Sequence, residues 1–140
     1  MIGPFTGGYS WLSNFYERPF VMGNQFFTYL TVEHYYQAMK ADTAVAECWI
    51  RTAPTPGEAK KRGRGAQMRP GFERDKRAVM MRGLMGKFMQ HEDLRSMLIA
   101  TGDQELVEVN TWGDRYWGRV SGQGENWLGK TLMMTRELLS

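Results

Sequence analysis

The chain has 140 residues and a formal charge of +3, with 42% hydrophobic and 24% charged residues. That is ordinary globular composition for one domain, with enough chain to bury a core without covalent staples. No apolar run reaches the roughly 20 residues of a membrane span, and one cysteine, Cys48, excludes a disulfide framework. His34 and His91 are the only other soft ligands, which argues against a Cys/His metal site. The N-terminus "MIGPFTGGYS" lacks the basic start and apolar stretch of a signal peptide, and with a single cysteine a reducing cytoplasm is the expected setting.

In chain order, "PFVMGNQFFTYL" reads as a hairpin turning at Gly23-Asn24. Thr31 can cap a helix that ends near Ala41, and Asp42 or Thr43 can cap a second from Ala44 to about Thr52. Thr55, Pro56 and Glu58 form a capping box for a third helix, which Gly63 and Gly65 are expected to cut short. "GFERDKRAVMMRGLMGKFMQ" spaces Val79, Met80, Leu84 and Phe88 as a long helix. Its Gly83 and Gly86 each cost about 1 kcal/mol, which implies close packing there. "EDLRSMLIATG" is a helix stopped by Gly102, "QELVEV" alternates as a strand, and a last helix runs from about Trp127 to Leu139. Strands and helices do not alternate as βαβ units. The expected class is therefore α+β: a single compact, mainly helical domain over residues 1–140 with a small sheet or hairpin.

Three constellations carry possible chemistry. In "TVEHYYQAMK", Val32, Tyr35, Tyr36 and Met39 ask for burial, while Glu33, Gln37 and Lys40 stack at i, i+4 and i+7. That polar stripe is either a solvated face or a site. Glu33 also suits a first helical turn, where the dipole favours an anion, and His34 falls on a different stripe and reads as structural. The second constellation is "GDRYWGRVSGQGENWLG", residues 113–129, with Asp114, Tyr116, Trp117, Glu125, Asn126 and Trp127 among five glycines. Glycines allow close approach of a ligand, aromatics offer stacking surfaces, and Asp and Asn offer directed hydrogen bonds. The alternative is a tight aromatic-glycine turn. The third is "TPGEAKKRGRGAQMRPGF", where Arg62 and Arg64 flank Gly63 and suit a phosphate. It lies in a segment, residues 51–87, with eleven Lys/Arg against three acids, net +8, which leaves −5 elsewhere. Such a segment points to an anionic partner or is simply a solvated helix face.

The blocks "WLSNFY", "TVEHYYQAMKA", "AKKRGR", "VMMRGLMGKFMQ", "LIATGDQELVE", "DRYWG", "GENWLGK" and "LMMTRELL" occur together and in order. In this the chain resembles the NADAR superfamily of YbiA-like N-glycosidases, from about Phe5 to Leu139. Phe72 stands where many members carry a tryptophan, which keeps an aromatic in place. The resemblance implies a compact α+β domain that cleaves an N-glycosidic bond to ribose without a cofactor. Its implied substrates are N-ribosides or ADP-ribose-type molecules. They include ribosylamino-pyrimidine phosphates of riboflavin synthesis and ADP-ribose joined through nitrogen to guanine in DNA or RNA.

Carried over by position, Glu33, Gln37 and Lys40 match the helix block. Asp114 and Trp117 match the "D-YWG" block, Asn126 the "GEN" block, Ser13 and Asn14 the "SNFY" block, and Arg64 the basic block. Breaking a C1′–N bond needs a carboxylate for the developing positive charge or the attacking water, and a donor for the leaving nitrogen. The expected catalytic set is Glu33, Asp114 and Lys40, with Lys40 able to act instead as a Schiff-base nucleophile. Asn14, Tyr35, Gln37, Arg62, Arg64, Trp117 and Asn126 are expected to hold substrate, with Tyr35 and Trp117 as stacking walls. Two rival classes stay open: a reader of ADP-ribose that does no chemistry, and a nucleic-acid-binding protein.

Overall fold

Threonine oxygens start three of the helices in the computed structural model of the chain, which describes residues 1–140. Thr31 accepts a bond from the His34 N–H at the head of α1 (Val32–Met39). Thr43 does the same for Ala46 at α2 (Ala44–Arg51), and Thr55 for Glu58 at α3 (Pro56–Gly65). Each oxygen satisfies an N–H that has no partner within the helix. The remaining helices are α4 (Phe72–Gln90), α5 (Glu92–Ala100) and α6 (Trp127–Leu139), with a 3-10 turn at Gly7–Leu12. One two-stranded antiparallel sheet completes the α+β fold, β1 (Phe20–Met22) with β2 (Phe27–Tyr29). No helix is long and apolar enough to cross a membrane. Contacts divide the chain into two units, Asn14–Lys87, and Met1–Ser13 together with Phe88–Ser140.

In the unit Asn14–Lys87 the hairpin pairs Phe20 with Tyr29 and Met22 with Phe27. The turn is therefore four residues long, and the left-handed positions are Gly23 and Phe26 instead of Asn24. Helix α1 packs on both α2 and α3, and residues Thr31 to Ala38 are all buried. Glycines on α4 make room for this. A Cβ on Gly83 would stand 2.9 Å from the Tyr35 ring and 3.3 Å from Val32, and one on Gly86 would stand 2.7 Å from the Met22 sulfur. The expected close packing at Gly83 and Gly86 is present. Helix α3 differs from expectation: Gly63 does not break it, and the helix runs ten residues to Gly65. Gly63 is buried against the Gln37 side chain, so tertiary packing overrides its weak helix propensity.

In the other unit, α5 packs on α6, and Trp11 meets Phe88 edge-on. Gly102 ends α5 region with φ +65°, as expected of a left-handed stop. The expected strand at "QELVEV" does not form. Instead Ile2 bridges Leu106, with Ile2 N–H on the Glu105 carbonyl and Val107 N–H on the Ile2 carbonyl, and Val109 bridges Arg119. The ladder cannot continue along the N-terminal segment because Pro4 has no N–H to give.

Lys87 lies within α4 with 1% of its surface exposed. Its ammonium stands 5.5 Å from the centre of the Tyr16 ring. Burial, with a smaller push from the Arg18 charge, brings its pKa from 10.5 down to about 7. Between pH 7 and 10.5 the unfolded chain then binds more protons at this site than the folded chain, so Lys87 makes stability rise with pH across that window. Lys87→Met is expected to be more resistant to denaturant at pH 7 and to lose that part of the slope. Urea midpoints for both proteins at pH 7 and pH 10 check this.

Candidate functional site

The stripe on α1 is held in place by its first turn. Thr31 Oγ1 lies 2.8 Å from His34 Nδ1, and His34 Nε2 lies 2.9 Å from the Ala53 carbonyl. A carbonyl only accepts, so Nε2 carries the hydrogen and Nδ1 accepts from the threonine hydroxyl. Burial depresses the His34 pKa below the ordinary histidine value, consistent with a neutral ring that pins α1 to the segment after α2. Glu33 precedes it. Its N–H donates to the Asn14 carbonyl at 3.1 Å, and its side chain is 7% exposed.

One turn on, Gln37 is 4% exposed and its Nε2 donates to Glu33 Oε1 at 3.3 Å. Lys40, one further turn along, is half-buried and sits 5.4 Å from the Tyr36 ring centre. Burial holds its pKa below the ordinary lysine value; the Arg64 and Lys60 charges add to this, and the Glu33 and Glu73 carboxylates oppose it. Glu33, Gln37 and Lys40 therefore form a buried-to-half-buried run, and the solvated-face alternative does not describe it. Two oxygens here are buried without a hydrogen-bond partner, Asn14 Oδ1 and Gln37 Oε1. Asn14 Nδ2 reaches the Met80 sulfur at 3.4 Å. Arg64 is exposed near the end of α3.

Two residues of the expected binding set are placed elsewhere within this unit. Tyr35 points away from the stripe: it meets Tyr29 edge-on at 5.1 Å and lies against Gly83. At 100° per residue it sits about 200° around the helix from Glu33, so a stacking wall beside Glu33 is not its position. Arg62 gives Nε to Glu58 and Nη1 to the Trp49 carbonyl at 2.7 Å, tying α3 to α2. On the face of α1 opposite the stripe, an open cleft of about 610 Å³ is lined by Met22, Phe27, Tyr29, Tyr35, Met39 and Arg69 among others. No group of three or more His, Cys, Asp or Glu could hold a metal ion.

The other unit carries the glycine-aromatic loop. Asp114 Oδ1 accepts from the N–H groups of Tyr116 and Trp117 at 3.0 and 2.9 Å, and its own N–H donates to Asn110 Oδ1. Trp117 stacks edge-on against Tyr116 at 5.0 Å. Asn126 adopts φ +57° at the head of α6 and is buried. Its Nδ2 donates to the Leu106 carbonyl, and its Oδ1 accepts from the Glu108 N–H. Both side chains thus fasten the loop that holds Trp117. Sequence spacing missed Gly63, which it took for a helix breaker, and the part played by Lys60 and Glu73 in the field around Lys40.

Comparison with known proteins gives the family and the fold. The NADAR domain model matches residues 4–140. The N-glycosidase YbiA of Shigella flexneri is 41% identical over 136 residues, spanning 94% of this chain and 82% of that protein. A chloroplastic riboflavin biosynthesis protein, PYRR of Zea mays, is 37% identical over 89% of this chain and 22% of that much longer one. The solution NMR structure of the Escherichia coli protein YbiA superposes with a TM-score of 0.86 at 37% identity, covering 99% of this chain and 82% of that one. The chain belongs to the NADAR domain family.

The two loop clasps separate in a mutational test. Asn126→Ala leaves the Leu106 carbonyl and Glu108 N–H without partners and puts an alanine at positive φ, so a loss of about 2–4 kcal/mol is expected by chemical denaturation. Asp114→Asn keeps an oxygen for the Tyr116 and Trp117 N–H groups, and its loss should stay under about 1 kcal/mol.

Proposed function

We propose that the protein is an N-glycosidase that hydrolyses the C1′–N bond of an N-linked ribose phosphate, with Glu33 and Lys40 as its reacting groups. The observation that carries this reading is the stripe itself. A carboxylate and a lysine kept from full hydration share one helix face, two turns apart, within reach of the charges of Glu73, Arg64 and Lys60. Chemistry of this bond needs that combination. As C1′–N breaks, the nitrogen takes the electron pair and a proton, and the ribose becomes oxocarbenium-like. A carboxylate at low exposure stabilises that charge more strongly than one in water, and it can take the proton from the attacking water. Arg64 supplies a cation for the substrate phosphate, and Asn14 lies at the same helix through its carbonyl on the Glu33 N–H.

Lys40 gives the site a second route. Its depressed pKa raises the fraction of neutral amine near neutral pH. Attack of that amine on C1′ would expel the base, ring opening would give an imine, and water would release the sugar. The substrates that best suit the reading are ribosylamino-pyrimidine phosphates and ADP-ribosyl-guanine in nucleic acid. Support for the first is the family link to riboflavin-synthesis proteins. Support for the second is the basic face of α3: Lys60 lies 6.0 Å from the exposed Phe15 ring and Arg62 lies 5.2 Å from the exposed Trp49 ring. Aromatic platforms among cations suit a single strand.

Incubation with a ribosylamino-pyrimidine 5′-phosphate and with an ADP-ribosyl-guanosine oligonucleotide, followed by detection of the free base, tests the activity. Glu33→Gln is expected to lower turnover more than tenfold, about 1.4 kcal/mol of barrier; a smaller loss rules Glu33 out as the essential carboxylate. Along the Schiff-base route, borohydride with substrate present traps an adduct that Lys40→Arg abolishes. The kcat/KM of that route rises with pH along a limb set below the ordinary lysine pKa, because only the neutral amine attacks. No adduct means direct hydrolysis. Separately, affinity for unmodified single-stranded DNA should fall steeply between 50 and 200 mM salt, since phosphate contacts release counterions. A flat response removes the nucleic-acid substrate.

A further inference from the structure

Gly63 lies in the last turn of α3, and within a helix glycine is the least favourable residue after proline. It is buried, and the side chain it faces is Gln37. A Cβ built on Gly63 would overlap Gln37 Oε1 and would stand 2.9 Å from both Cβ and Cδ of Gln37. The Gln37 Cβ is fixed to the α1 backbone, so the clash is not relieved by a terminal rotation alone. Helices α1 and α3 approach this closely only because the methyl group is missing.

The orientation of the Gln37 amide follows from its other neighbour. An ionised carboxylate only accepts hydrogen bonds, so the NH₂ group must face Glu33, as it does at 3.3 Å. The carbonyl end is then turned to α3, and Gln37 Oε1 is buried there with no hydrogen-bond partner. A buried orphan oxygen is unfavourable, and a freely chosen rotamer would avoid it. The amide stays because α3 closes over it at Gly63.

We propose that Gly63 is a positioning residue: it clamps the Gln37 amide between α3 and Glu33 and so fixes the direction of the Glu33 carboxylate. Gln37, expected from sequence to contact substrate, acts here through Glu33. The inference rests on Glu33 being the reacting carboxylate.

The test compares Gly63→Ala, Gln37→Ala and the double variant in the base-release assay, beside Glu33→Gln. Circular dichroism and thermal melts establish the folded fraction, to which kcat is normalised. Gly63→Ala and Gln37→Ala should each lower kcat on the order of tenfold to a hundredfold, as misplacement of a reacting group does, with KM changed less than about twofold. The double variant should lose no more than about twofold beyond the worse single one, because both changes release the same carboxylate. If Gly63→Ala does not fold, Gly63→Ala combined with Gln37→Gly, which lacks both the amide and the Cβ that collide, carries the comparison with Gln37→Gly alone: equal kcat supports the clamp and a further loss overturns it. Wild-type kcat in folded Gly63→Ala, or losses that multiply in the double variant, overturns it. An active Glu33→Gln overturns the reading of Glu33 itself, whereas an inactive Glu33→Gln beside a fully active Gly63→Ala overturns the clamp alone.

Discussion

Burial of a helix that carries polar side chains on the inside is the constraint on which the unit Asn14–Lys87 depends. Helix α1 is buried from Val32 to Ala38, and Glu33, His34 and Gln37 are buried with it. A polar group taken from water without a partner costs on the order of 1–3 kcal/mol, and a charge costs more. Local partners meet His34 at both ring nitrogens but Gln37 only through its NH₂ group, its Oε1 having none. His34 is met by Thr31 and Ala53, Gln37 by Glu33, and the Glu33 N–H by Asn14. On both faces of α1, glycines make the room. Gly83 on α4 admits Tyr35 and Val32, and Gly63 on α3 admits Gln37. Each glycine weakens its own helix by about 1 kcal/mol, and the close packing of α1 offsets that loss.

The parts of this arrangement that sequence made legible are those written in local chemistry. Thr31, Thr43 and Thr55 are caps because only a short side-chain oxygen reaches back to an N–H three residues on, and that spacing is visible in any sequence. The start of α6 at Trp127 and the presence of the hairpin were legible too, though Asn126 does not cap α6 with its side chain and the turn is longer than Gly23-Asn24 suggested. What was not legible depends on partners far along the chain. "QELVEV" has a strand's alternation, but the only backbone offered to Leu106 comes from Ile2, just before Pro4. Gly63 looks like a helix breaker until Gln37 is placed beside it. Tyr35 sits between Glu33 and Gln37 in sequence, yet the helix turns it to the opposite face.

The candidate site shows the same division. The spacing of Glu33, Gln37 and Lys40 put them on one stripe, and spacing alone could not tell a solvated stripe from a buried one. Burial decided it, and burial is a property of α3 and its neighbours. Lys60 and Arg64 were visible as charge, but their effect on Lys40 depends on how α3 lies across α1. Asp114 and Asn126 were read as polar groups in a glycine-rich loop. Their geometry shows where those polar atoms go: into N–H and carbonyl groups of the loop itself.

Fold and chemistry therefore make different demands on the same residues. A protein selected for stability alone would not bury a carboxylate beside an amide whose oxygen has no partner, nor keep a half-buried lysine within reach of two further cations. Replacing Gln37 by a hydrophobic residue would remove the orphan oxygen, and an alanine at position 63 would favour the helix if there were space for it. The unfavourable choices converge on one point, the Glu33 carboxylate. If Glu33 and Lys40 react as proposed, local rules are broken there in the direction that reactivity requires: less water around an acid and an amine.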